Sequence, residues 1–219
     1  DRRFVPESLF PAPAPRSSAV PGPGRVWEAG VVPEQTTRHR LLVSVPDLGD
    51  ANFDQTVVYV IEHDGDGALG VVLNRPSDTE VVEHLPELCA PVLSPAVFFV
   101  GGPVAVGGVL ALGRRRLGSG SDPTGPVAPL PGSLALIDME ALLDGRVDGI
   151  DAVRLFTGYS GWAAGQLDAE IAAGAWHVVT ALPDDVLCGD PGSLWRSVMR
   201  RQGGRTAAQG LFPEDPSVN

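Results

Sequence analysis

Four stretches of this 219-residue chain place polar or glycine residues where apolar runs end: Glu62-His63, Asn74-Arg75-Pro76, Gly101-Gly102-Pro103 and Gly158-Tyr159-Ser160-Gly161-Trp162. Each supplies a different chemical tool. Asn74 and Arg75 offer an amide and a forked cation suited to a carboxylate or phosphate. Gly101 and Gly102 carry no Cβ to keep a ligand from their backbone. In GYSGWAAGQL, Gly158, Gly161 and Gly165 let amides approach a ligand, Tyr159 and Trp162 add aromatic faces, and Gln166 opens a helix whose N-terminus favours anions. Asn74, Arg75, Gly101, Gly102, Tyr159, Gly161, Trp162 and Gln166 therefore read as one ligand-binding set, provided that the strand ends carrying them meet at one edge of a sheet. Each also has a purely structural reading: a strand-ending turn at Asn74-Arg75, a turn with positive φ at Gly101-Gly102, and close packing of Tyr159, Trp162 and Trp176 around the later glycines.

Reactive chemistry is written less clearly. Ser160 lies in a strand-turn-helix setting without the GxSxG frame of a nucleophile elbow. The glycine spacing is neither GxGxxG nor a P-loop, and all sixteen basic residues are arginine, so no lysine can reach a phosphate. Glu62 and His63 are adjacent on a strand and face opposite sides of it. His84 and His177 fall in separate elements with no HxxxH or HExxH spacing, so neither a metal nor a cofactor is expected. No catalytic residue is assigned; Ser160, His63 and Cys89 are the contributors an enzyme would draw on.

The elements that must hold these residues follow from periodicity and punctuation. RLLVSV begins an apolar run near His39, and TVVYVIEH (56–63) with ALGVVLN (68–74) form a hairpin across the Asp64-Gly65-Asp66-Gly67 turn. Further strands are expected at 96–100, 106–112, 134–137, 152–157 and 177–181. Helices are expected at 79–88 with Thr79 as cap, at 139–143, at 166–173, and from an Asp190-Pro191 start to about 202 with Leu194, Trp195, Val198 and Met199 inward. The strand ending at Thr157 is expected to lead into a glycine-rich turn. This mixture predicts an α/β or α+β fold: a single compact domain, residues 38–202, with a mixed, partly antiparallel sheet flanked by helices. Residues 1–37 read as a disordered Pro/Ala-rich arm, 113–132 as a mobile loop and 203–219 as a tail.

Net charge is −11, which repels polyanions and removes the main term of nucleic-acid binding. No apolar run nears the roughly 20 residues that cross a bilayer, and the two cysteines are far apart, so a cytoplasmic protein is expected. The runs LLVSVPDLGDANFDQTVVYVIEHDGDGALGVVLNRP (41–76), FFVGGPV (98–104) and RLFTGYSGWAAGQLDAEIAAGAW (154–176) resemble, in that order, the AlgH/YqgE family of bacterial proteins, over about residues 39–200. The resemblance implies a compact cytoplasmic α/β fold and a family without an established biochemical activity, some of whose members carry the label of transcriptional regulator. It brings no catalytic residues to carry over. The chain has no helix-turn-helix pattern, so any regulatory effect is expected to be indirect. The expected function is non-enzymatic binding or regulation through a crevice for a small anionic ligand or a partner peptide. The alternatives are a regulator acting indirectly or on DNA, and an enzyme of undefined reaction type.

Overall fold

Valine and isoleucine repeat along residues 57–61, and both sides of that strand are buried, which fixes where the layers lie. Val57, Tyr59 and Ile61 point into one apolar cluster, whereas Val58 and Val60 point into another on the opposite face. The computed structural model describes residues 37–46, 54–116, 118 and 125–210. The expected arm up to residue 36, residues 117 and 119–124 of the expected loop, and the end of the expected tail from 211 lie outside the described residues. The rest of the expected 113–132 loop is partly strand, because Val104–Arg115 and Val127–Pro129 both pair with neighbours.

Among the described residues the elements run β1 (Arg40–Ser44), β2 (Val57–Asp64), β3 (Gly67–Val72), β4 (Pro76–Glu80), α1 (Val81–His84), β5 (Val97–Val100), β6 (Val104–Arg115), β7 (Val127–Pro129), β8 (Leu134–Ile137), α2 (Met139–Leu143), β9 (Ile150–Ala163), α3 (Gln166–Ala172), β10 (Trp176–Thr180), α4 (Pro183–Val186), α5 (Pro191–Arg201) and α6 (Gly204–Gln209). The strands order as β10-β1-β2-β3-β9-β6-β8-β7, with β5 added to β9 and β4 to β5. Strand pairs are antiparallel except β5–β9, which is parallel. This is the mixed α/β architecture expected. The β2–β3 hairpin is present, and α5 buries Leu194, Trp195, Val198 and Met199 against the face that holds Leu41, Val43 and Tyr59.

Three local expectations are corrected. Gly158 to Trp162 is not a turn: β9 runs on to Ala163, because β3 pairs with Ser160–Ala163 and β6 pairs with Thr157 and Tyr159. Pairing on both edges overrides the turn preference of the glycines, and the turn falls at Ala164-Gly165, where Gly165 has φ 71. The helix expected at 79–88 is shorter, because Pro76–Glu80 pairs as β4 with β5 and leaves Val81–His84 as α1, preceded by Glu80 rather than capped by Thr79. Residues 204–209 form α6, so ordered structure continues beyond 202.

The glycines of the GGP motif answer to a backbone crossing. After β5 the chain passes between β3 and β9: Val72 N–H donates to Gly101 O at 2.9 Å, and Gly101 N–H donates to Thr157 O at 2.8 Å. A Cβ on Gly102, whose φ is +153, would lie 2.3 Å from the Tyr159 carbonyl and 2.4 Å from Ser160 N; one on Gly101 would lie 2.4 Å from Gly158 O. These neighbours are backbone and cannot swing aside. Opposite, Gly158 (φ +67) is the one residue that faces the extra stretch Ala105–Gly108, where the β6–β9 register jumps from Val104↔Tyr159 to Val109↔Thr157. Gly102→Ala is accordingly expected to cost about 3 kcal/mol or more in urea unfolding. Gly65→Ala, where a Cβ meets nothing within 4 Å, is expected to change stability by no more than about 0.5 kcal/mol.

Candidate functional site

The hairpin brings the end of β3 back to the start of β2, and that is where a crevice opens. Asn74 fixes the junction: its Oδ1 accepts from Val57 N–H at 3.0 Å, and its Nδ2 donates to Gln55 O at 2.8 Å. Gln55 is held in the left-handed region at φ 46, a strained conformation for a residue with a side chain. Arg75 Nη2 donates to Asp54 O at 2.9 Å and to Thr56 Oγ1 at 3.1 Å, which orients its guanidinium. The opposite wall is the first half of α5, where Trp195 Nε1 donates to Ser44 O at 3.0 Å. Between them lies an open crevice of about 650 Å³, lined by Gln55, Asn74, Arg75, Trp195 and Arg196 together with Asp54, Pro76 and Gly192. The charged residues of that lining are two arginines and one aspartate, in a chain of net charge −11.

Only Asn74 and Arg75 of the sequence-derived set line this crevice. The convergence at one sheet edge does not occur, because β2 and β3 are antiparallel: Asn74 ends up beside the start of β2, while Glu62 and His63 lie at its far end. Gly101 and Gly102 sit at the backbone crossing, and a Cβ on Gly161 would lie 3.3 Å from the Tyr159 ring. Trp162 and Gln166 belong to a third group. Glu170 Oε2 accepts from both Trp162 Nε1 and Trp176 Nε1, each at 2.9 Å, and Glu170 Oε1 accepts from Gln166 Nε2 at 3.0 Å. Gln166 Oε1 in turn accepts from Ala163 N–H. The indoles stand edge to face with centroids 6.3 Å apart, so one carboxylate on α3 ties the helix to the ends of β9 and β10.

The residues weighed for catalysis are spread apart in the same way. Ser160 is 1% exposed and donates to Gly101 O. Cys89 is exposed, with its thiol donating to Glu87 O. His63 Nδ1 lies 2.7 Å from Thr37 Oγ1 and accepts from Thr37 N–H at 3.3 Å, which places its proton on Nε2, 3.7 Å from Asp168. Beside it, His39 (φ 62) stacks on Tyr59 with ring centroids 6.4 Å apart. Burial, reinforced by Arg38 and opposed by Glu62, lowers the His39 pKa; burial also pushes the Tyr59 hydroxyl up to about 12.

Sequence reasoning missed Gln55, Trp195 and Arg196 as crevice residues. The hairpin register itself signalled Gln55, since pairing Val58 with Val72 carries Asn74 back to the residues before Val57. Trp195 was legible only as a core position of α5, and Arg196 only as a charge on it.

The sequence and fold have counterparts among known proteins. A model of the AlgH-like family matches residues 41–207. The chain belongs to the AlgH-like family. Its curated relatives include a UPF0301 protein of Thermobifida fusca, 46% identical over 185 residues that cover 82% of this chain and 93% of that one. Another, from Streptomyces coelicolor, is 40% identical and covers 87% of this chain and all of its own length. Among solved structures, a crystal structure of a Corynebacterium diphtheriae protein matches with a TM-score of 0.74 at 30% identity, over 80% of this chain and 92% of its own. The solution structure of the AlgH protein from Pseudomonas aeruginosa, also described as UPF0301, matches with a TM-score of 0.60 at 28% identity, over 85% and 99%. The family is uncharacterised, and its names specify no reaction or ligand.

Two measurements check this arrangement. Glu170→Ala removes the shared acceptor of two buried indoles and is expected to cost about 2–4 kcal/mol in chemical unfolding, with Glu170→Gln, which keeps an acceptor oxygen, costing less. Equal stability of Glu170→Ala and the parent chain would show that the carboxylate does not fasten α3. For His39, a folded pKa below the ordinary value near 6.5 means that the unfolded chain binds more protons. Its contribution to stability is therefore full above that value and declines as pH falls beneath it. Unfolding free energies measured from pH 7.5 to 5 are expected to fall less steeply for His39→Gln than for the parent.

Proposed function

We propose that this is a cytoplasmic, non-enzymatic binding protein whose crevice between the β2–β3 hairpin and α5 holds a small anionic ligand or an acidic segment of a partner. The observation that carries the reading is the meeting of Arg75 and Arg196 in one crevice beside the strained backbone of Gln55. A guanidinium offers a carboxylate or phosphate paired, charge-assisted hydrogen bonds, and Asn74 fixes the junction from which Arg75 projects. Among the described residues the lining holds no serine, threonine, cysteine, histidine or tyrosine, which favours holding a ligand over transforming it. The other residues of the sequence-derived set lie outside this crevice: Gly101, Gly102, Tyr159 and Gly161 at the backbone crossing, Trp162 and Gln166 at the Glu170 clasp.

No helix among the described residues is long and apolar enough to cross a membrane. A regulatory effect of such a protein passes through its ligand or partner, since the net charge of −11 opposes contact with DNA. Thermal-shift titration with inorganic phosphate, citrate and a short acidic peptide tests the reading. At least one is expected to raise the melting temperature, with binding about 10- to 100-fold weaker in Arg75→Ala and Arg196→Ala and unchanged in Arg116→Ala. No stabilisation by any of the three, or equal stabilisation of all variants, sinks it.

A further inference from the structure

Arg154 lies in the first half of β9 and is 1% exposed, the bulkiest of the fully buried side chains among the described residues. Its Nη1 donates to Cys188 O at 2.6 Å and its Nη2 to Ser94 O at 2.9 Å, while its Cζ lies 4.3 Å from the centroid of the Phe99 ring. Nε has no hydrogen-bond partner, and among the described residues no carboxylate pairs with the guanidinium. Burial lowers the pKa to about 10, so the group is still a cation at neutral pH. An unpaired charge is an expensive way to fill an apolar layer, and an unbranched hydrophobe of similar length would fill it without that cost. What only an arginine does here is aim two donors, in one rigid plane, at the carbonyls of two separate chain segments.

One of those segments launches α5. Cys188 precedes the N-cap Asp190 by two residues, and its thiol donates to Asp190 O at 3.2 Å. The Asp190 side chain makes no capping hydrogen bond, so the usual device for fixing a helix start is missing. Three turns of dependence then follow in sequence: Arg154 holds Cys188, Cys188 leads into Pro191, and α5 carries Gly192, Trp195 and Arg196 into the crevice. We infer that Arg154 is a positioning residue, whose buried guanidinium fixes the leader of α5 and thereby sets the α5 wall of the crevice against the Asn74-Arg75 wall. The link to a ligand rests on the crevice reading above; the fixing of α5 does not.

The test uses the full chain carrying Cys89→Ser, which leaves Cys188 as the single thiol. Arg154→Lys and Arg154→Met are made in that background, and Cys188 is labelled with a disulfide reagent under conditions where circular dichroism shows all three proteins folded. Cys188 is expected to react at least ten-fold faster in both variants, and inorganic phosphate to bind at least five-fold more weakly to Arg154→Lys. A thiol rate within two-fold of the background in the folded variants overturns the inference. So does phosphate that binds the background and Arg154→Lys equally. If the background binds none of phosphate, citrate and the acidic peptide while the thiol rates rise, the ligand reading falls and the fixing of α5 stands. Should neither variant fold, arginine-selective nitrogen NMR on the unsubstituted chain decides. Separate, slowly exchanging Nη protons on Arg154 support the clamp, and a guanidinium averaged by free rotation overturns it.

Discussion

Everything in this fold depends on two backbones lying closer than any side chain would allow. Gly101 and Gly102 thread between β3 and β9, and the contact is made of main-chain atoms on both sides. That threading lets β9 serve two strands along one edge, β5 at Phe156–Thr157 and β3 at Ser160–Ala163, while β6 occupies the other edge. One strand is thus shared by all three apolar clusters, with Phe156 in the first, Val153 and Leu155 in the second and Trp162 in the third. The glycines that looked like ligand contacts are spent on this junction. Ser160, the residue most like a nucleophile, is spent there too, on Gly101 O.

How far the chain could be read from its residues follows from the range of the interactions. The β2–β3 hairpin, the inward face of α5 and the helix start at Gln166 depend on neighbours a few positions away, and local pattern reveals them. The course of β9 through Gly158–Trp162 depends on β3 and β6, both distant in sequence, so the same glycines read as a turn. The Glu170 clasp was partly visible, since Gln166 and Glu170 are four apart on a helix. That both indoles share its carboxylate becomes apparent only when the end of β9 and the start of β10 bring Trp162 and Trp176 to Glu170.

The crevice illustrates the harder case. Asn74 and Arg75 stand out because polar residues end an apolar strand. Arg196 does not, because an arginine on an amphipathic helix has a sufficient explanation in solvent and the helix dipole. Arg154 is harder still: it lies inside the strand expected at 152–157 with nothing in its neighbours to set it apart, yet it is among the most buried residues described. A long polar side chain carries no sequence mark that separates a surface charge from a core clamp.

The pairing of β1 with β10 has a consequence for how the chain is made. Arg40 and Val179 are joined across 139 residues, so the outer edge of β1 has no partner until nearly the whole domain has left the ribosome. For that interval a strand reading RLLVS, four of whose five residues become fully buried, presents open main-chain amides and carbonyls. Non-local closure of this kind slows folding and invites pairing with other chains. In the cell the vulnerable period therefore runs from the emergence of β1 to that of β10, and the segment to shield in that period is β1.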